Sequence, residues 1–309
     1  VTSSPTAPPA PSTSTERDWS LAAMGVTVLL WASAFVGIRA VADVFEPGPL
    51  SLGRLLVGAL ALVVLARPWR HRLPRGRTLA LVVVYGVLWF GAYNVALNAG
   101  ETYLDAGTAA LVVNIGPILI ALLAGIVLKE GFPRPLVVGM AVAFAGVVLI
   151  ATSTRHDTSV QTASTTGVLL CVLAAVLYAV GALTQKPTLR TVAPAMSVWM
   201  ACTIGAVVCL PFAPALVDQV GSASAGDVAW LVYLGVFPTA IGFTTWSYAL
   251  RRLSAGQVAS TTYLVPAVAT LISWVLLGEV PAPLAFVGGA LCLLGVAITR
   301  LRRRGAATS

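Results

Sequence analysis

Charge is what this sequence most lacks. Only 10% of its 309 residues are Asp, Glu, Lys or Arg, against 58% hydrophobic, whereas a soluble domain carries about a quarter charged residues. So sparse a set cannot cover a soluble fold of this length. The mean hydropathy of +0.91 places the chain in a lipid bilayer. Acids are the scarcer sign, 11 against 19 Lys and Arg, and none lies in the middle of an apolar run. That disfavours an intramembrane proton relay built on a carboxylate. Cysteine is equally thin. Cys171, Cys202, Cys209 and Cys292 lie in apolar runs without the spacing of metal ligands or of a disulfide framework, and read as small buried hydrophobes. His71 and His156 fall in separate loops. No cluster of nucleophiles or ligands lies at membrane depth, so an intramembrane enzyme is disfavoured and no metal or cofactor is expected.

What is present is apolar sequence in lengths of about 20 residues, enough to cross a hydrocarbon core. The pattern predicts helices near 19–41, 49–66, 78–100, 106–128, 134–152, 167–186, 194–217, 227–249, 256–277 and 283–300. The expected fold is an all-α integral membrane protein of ten transmembrane helices. Residues 1–18, rich in Pro, Ser and Thr, have no apolar core of a signal peptide and read as a disordered tail. Residues 153–166 form an outer connecting loop, and 302–309 a basic tail.

With the N-terminus on the cytoplasmic side, the inside segments hold Arg17, Arg67, Arg70, Arg72, Arg75, Arg77, Lys129, Arg134, Lys186, Arg190, Arg251, Arg252, Arg300, Arg302, Arg303 and Arg304. Outside lies Arg155 alone, while Arg39 and Arg54 fall within helices. The inside-positive bias thus predicts both termini in the cytoplasm, in a cell inner membrane. It also accounts for the net charge of +8 without a nucleic-acid partner. The C-terminal arginine cluster reads as an anchor to anionic lipid.

The sequence repeats itself. Leu104-Asp105-Ala106-Gly107 matches Leu253-Ser254-Ala255-Gly256 at an offset of 149 residues, and the same offset pairs Pro117 with Pro266, Glu130 with Glu279, Gly139 with Gly288, and Gly146 with Gly295. At an offset of 147, Trp31 falls on Tyr178 and Arg39 on Lys186. Each half, 19–152 and 167–301, holds five helices. An odd number makes the second copy enter the membrane from the opposite side. Inverted repeats of this kind build secondary transporters, with the substrate near the midplane between the halves.

The strings Trp31-Ala-Ser-Ala-Phe-Val-Gly-Ile-Arg39, Leu104-Asp-Ala-Gly107 with Pro117 and Glu130, and Leu253-Ser-Ala-Gly256 with Pro266 and Leu277-Gly-Glu279 resemble the paired EamA repeats of the drug/metabolite transporter superfamily. The resemblance covers roughly residues 20 to 300. It implies a ten-helix permease or exporter of small metabolites working by alternating access. Its members move amino acids, nucleosides, sugar phosphates and other solutes.

Polar side chains within the spans are the candidates for solute contact. Arg54 suits a carboxylate, though a structural contact to helix ends explains it equally well. Asn94 and Asn98, at i and i+4, share a helix face and offer both donors and acceptors, as does Asn114. With Trp31, Tyr178 and Tyr263 these make the expected cavity: Trp31, Arg54, Asn94, Asn98, Asn114, Tyr178 and Tyr263. Pro117 and Pro266 each remove a backbone donor and mark the expected helix breaks for gating. The expected partners are a small polar solute, an amino acid or relative moving outward, and the bilayer. A homodimer stays open, because glycine-rich faces serve internal packing as well. A membrane sensor or scaffold without transport is the rival reading.

Overall fold

The computed structural model describes residues 14–103, 112–153, 165–277, 283–299 and 301. Asp105, Arg155, His156, Glu279 and the terminal arginines Arg300, Arg302, Arg303 and Arg304 lie outside them, as do both end segments and most of the connecting loop. So do the side chains of Arg17, Arg39 and Trp274. Most of the described residues are helical: α1 (Ser14–Val41), α2 (Pro47–Ala66), α3 (Gly76–Glu101), α4 (Gly116–Val127), α5 (Arg134–Ser153), α6 (Thr165–Thr188), α7 (Pro194–Val208), α8 (Leu210–Ser222), α9 (Ala225–Arg252), α10 (Ala255–Thr261), α11 (Leu264–Leu277) and α12 (Pro283–Thr299). α1 begins at Ser14, inside the stretch expected to be tail.

Among the described residues α1, α2, α3, α6, α9 and the run from α10 into α11 are long and apolar enough to cross a membrane, six in all, or seven if the α7–α8 pair is one span, and three shorter apolar helices accompany them. α7 and α8 bend by 57° where one straight helix was expected. Pro211 and Pro214 follow the bend, and proline supplies no amide to continue the ladder. The backbone closes instead with a tighter Phe212-to-Cys209 bond. In the same way Thr262 and Tyr263 form a turn between α10 and α11, four and three residues before Pro266, and Asn114 and Ile115 form one just before Pro117. The two halves use the same local chemistry at start sites too: α2 opens on Pro47 and α7 on Pro194, related by the 147 offset, where a missing N–H costs nothing.

The halves are interlocked rather than side by side. α1 packs against α9 and α11 of the second half, and α6, its repeat counterpart, packs against α3 and α4 of the first. The tightest crossing joins α5 to α12. A Cβ on Gly139 would stand 2.5 Å from the Gly295 carbonyl oxygen, and one on Gly146 would stand 2.5 Å from that of Gly288. The repeat exchanges these two contacts with each other. Between them the Cys292 thiol donates to the Ala143 carbonyl at 3.5 Å, and these residues are themselves repeat counterparts. A pseudo-two-fold axis therefore passes between Ala143 and Cys292, as an inverted repeat requires.

Matching positions also carry an irregularity that apolar periodicity does not disclose. Gly86–Ala92 in α3 and Gly235–Gly242 in α9 are π-helical, and the 149 offset carries one onto the other. Such turns hold an extra residue and recur at functional sites.

Candidate functional site

A cavity opens between the halves. Trp31, Ala34 and Ile38 reach it from α1, Arg54 from α2, Trp89, Tyr93, Asn94 and Leu97 from α3, Val113 and Asn114 from the segment leading into α4, and Pro117 from its first turn. The second half adds Tyr178, Phe243, Thr262 and Val265. Arg54 stands in the first half of α2, and Asn94 and Leu97 in the last third of α3. The cavity therefore lies toward the end where Asp43, Glu46 and Glu101 gather. At that end the Glu46 amide donates to Gln219 Oε1 at 3.1 Å, tying α2 to α8.

The cavity has one cationic wall and one aromatic wall. Arg54 is 6% exposed, and its Nε donates to Thr239 Oγ1 at 3.1 Å. Thr239 in turn donates to the Leu234 carbonyl across the π-helical turn. The guanidinium makes no ion pair with a described residue, and no Asp or Glu lines the cavity among them. Asn94 Nδ2 is held by the Phe90 carbonyl at 2.8 Å, which fixes the amide orientation at the cavity edge. The aromatic wall is a cluster of touching rings. Trp31 meets Phe243 at 5.0 Å and Tyr178 at 6.4 Å, and Trp89 meets Tyr178 at 5.3 Å and Phe243 at 5.1 Å between centroids. Trp246 stacks beneath Trp31 at 5.2 Å. Glycines make the room: Gly181 faces Trp89, Gly116 faces Tyr178, and Gly242 faces Trp31, each without space for a Cβ at ordinary contact distance.

The opposite end is shut by polar contacts. Tyr85 OH and Ser197 Oγ lie 2.7 Å apart, and Gln185 Nε2 donates to Ser247 Oγ at 3.0 Å. Further out, Lys186 Nζ pairs with Glu130 at 3.1 Å and donates to the Leu253 carbonyl. Glu130 also accepts from the Ala255 amide, at 2.8 Å and 3.1 Å, so one carboxylate caps α10 and joins the two halves. Both partners are about a fifth exposed, so the pair is less costly to break than a fully buried one. Glu130→Ala is expected to lower stability by about 1–3 kcal/mol. Lys186→Met in the same chain should restore part of it, as a double-mutant cycle on detergent melting will show. Strict additivity of the two changes would mean the pair contributes no coupling.

The structure brings Trp31, Arg54, Asn94, Asn114, Tyr178 and Pro117 to one cavity and leaves three sequence-derived candidates elsewhere. Asn98 shares the helix face of Asn94, but one turn further on its Nδ2 donates to Ser51 Oγ and the Pro47 carbonyl, bracing α3 against α2. Tyr263 is fully buried against α5 and α12, its ring 6.3 Å from Phe144. The turn ahead of Pro266 presents its neighbour Thr262 to the cavity instead. Pro266 does not reach the cavity either, and its carbonyl accepts from Thr270 Oγ1. Trp89 and Phe243 are not among the cavity residues expected from the sequence. An aromatic on an apolar span gives no sign of whether it faces lipid, core or solute.

A family model described as the EamA-like transporter family matches residues 19–152 and 165–301. The chain is 40% identical over 283 residues to a probable terminal-alkyne amino-acid exporter of Streptantibioticus cattleyicolor, covering 92% of this chain and 94% of that one. It is 27% identical over 297 residues to a probable amino-acid metabolite efflux pump of Salmonella typhimurium, covering 90% and 95%. A solved structure described only as the crystal structure of a protein superposes with a TM-score of 0.76 at 18% identity, over 94% of this chain and 97% of that one; that likeness concerns the fold.

Proposed function

This chain belongs to the EamA-like transporter family, a family of transporters rather than enzymes, and on that premise we propose that it exports a small amino acid or related solute by alternating access. The observation that carries the reading is a single guanidinium, Arg54, beside Asn94 and Asn114 in a cavity between two inverted halves. A buried cation that makes no ion pair with a described residue is costly, and a substrate carboxylate relieves that cost while gaining charge-assisted hydrogen bonds. The two relatives named for amino-acid export support the substrate class.

With both termini in the cytoplasm of an inner-membrane protein, as the basic loops imply, the cavity described here faces outward. The Lys186–Glu130 pair and the Tyr85, Gln185, Ser197 and Ser247 contacts then form the closed inner side. Rocking of the halves about the pseudo-two-fold axis would exchange open and closed ends, with the breaks at Pro117 and Pro266 as the local give. Reconstitution into proteoliposomes tests this. Saturable counterflow of at least one amino acid is expected, and its absence across the full set of standard and unsaturated amino acids would sink the proposal, as a sensor or scaffold predicts.

A further inference from the structure

Resting on that reading, we infer that the aromatic wall is the side-chain half of the binding site. There Trp89 and Phe243 select amino acids with flat or unsaturated apolar side chains, and the cavity turns away cations. Three observations converge on this.

The first is composition of the wall. Trp31, Trp89, Tyr178 and Phe243 line the cavity together, with ring centroids 5.0–6.4 Å apart. Edges and faces so arranged favour a guest with its own π system over a saturated chain of equal size. The second is backbone. Trp89 lies within one π-helical stretch and Phe243 directly follows the other, so the two irregular turns, placed symmetrically by the repeat, deliver the two rings from opposite halves. The third is charge. Aromatic boxes are also the usual seats of cationic head groups, but here a fixed guanidinium shares the cavity and no described carboxylate lines it. A cationic solute would meet the repulsion of that guanidinium in a poorly solvated space with no described carboxylate in the lining to receive it, and specificity is set by such repulsion as much as by attraction. A carboxylate-bearing zwitterion satisfies both walls, head to Arg54 and side chain to the rings.

The test is competition of labelled phenylalanine counterflow in proteoliposomes holding the full chain. Phenylalanine should compete about tenfold better than alanine, and propargylglycine several-fold better than norvaline, its saturated counterpart in length. Lysine and phenethylamine, which lacks the carboxylate, should compete at least tenfold more weakly than phenylalanine. Phe243→Leu should lower the phenylalanine-to-alanine flux ratio about tenfold; a fall in both fluxes by one common factor in a folded variant would overturn the assignment. If that variant does not fold, the wild-type series decides alone. Equal competition by alanine, or preferred competition by phenethylamine or choline, overturns the inference while leaving amino-acid transport standing. Absence of flux with every amino acid overturns both.

Discussion

Arg54→Gln is expected to cut amino-acid flux about a hundredfold in reconstituted vesicles while leaving the folded protein at least as stable. The two halves of that result come from the same fact. A guanidinium 6% exposed, hydrogen-bonded through Nε to Thr239, has lost hydration that one neutral hydroxyl does not replace. Glutamine keeps a donor for Thr239 and removes the charge, so the folded state loses little and sheds a desolvation cost. The substrate carboxylate, however, loses charge-assisted hydrogen bonds worth about 1.5–3 kcal/mol, or roughly a factor of ten to a hundred and fifty. Arg54→Lys should fall between, because an ammonium keeps the charge but not the planar fork that grips a carboxylate bidentately. Flux measured over substrate concentration and melting measured in detergent check both parts. Parallel loss of flux and stability would make Arg54 a structural contact instead.

The second large effect concerns stability. Gly139→Val and Gly146→Val should each lower the detergent melting temperature by about 5 °C or more, through overpacking of about 1–3 kcal/mol. At both sites a new Cβ meets a backbone carbonyl oxygen of α12 at 2.5 Å, and backbone cannot swing aside as a side chain would. The helices must separate, and the contacts around Ala143 and Cys292 go with them. Because Gly139 and Gly146 relieve each other's strain once the helices part, the double change should cost less than the sum of the single ones. Gly25, whose Cβ would meet nothing within 4 Å, is the matched control: Gly25→Ala should leave melting within about 2 °C of the parent.

How much of this was legible from sequence depends on the range of the signal. The repeat was readable because glycines, prolines and glutamates recur at a fixed offset. The structure gives those coincidences their reason: Gly139, Gly146, Gly288 and Gly295 meet around one axis. Arg54, Asn94 and Asn114 were readable because polar groups are conspicuous in an apolar span. Asn98 and Tyr263 were not separable from them, since sharing a helix face with a cavity residue says nothing about how far along the axis the cavity extends. The shift from Tyr263 to Thr262 depends on a two-residue turn. The π-helical stretches left no mark at all, because Gly86–Ala92 and Gly235–Gly242 share little residue identity and their common form comes from packing. Glu130 was readable as a repeat position at a helix end, but its pairing with Lys186, 56 residues further on, was not, because only the fold brings the two together.

The crossing of α5 and α12 has one more consequence, in terms of copy number. A contact that maps onto itself under a two-fold is what two identical subunits make, and two copies of a five-helix chain inserted in opposite senses could meet through this face. In such a pair every cavity residue would occur twice, and a buried arginine would confront its own duplicate across the axis. Joined in one chain, the halves are free to differ: Arg54 has Ala201 as its counterpart, and Asn94 has Phe243. Covalent linkage is thus what permits a symmetric frame to hold an asymmetric guest, with a lone cation answered by nothing of its own kind.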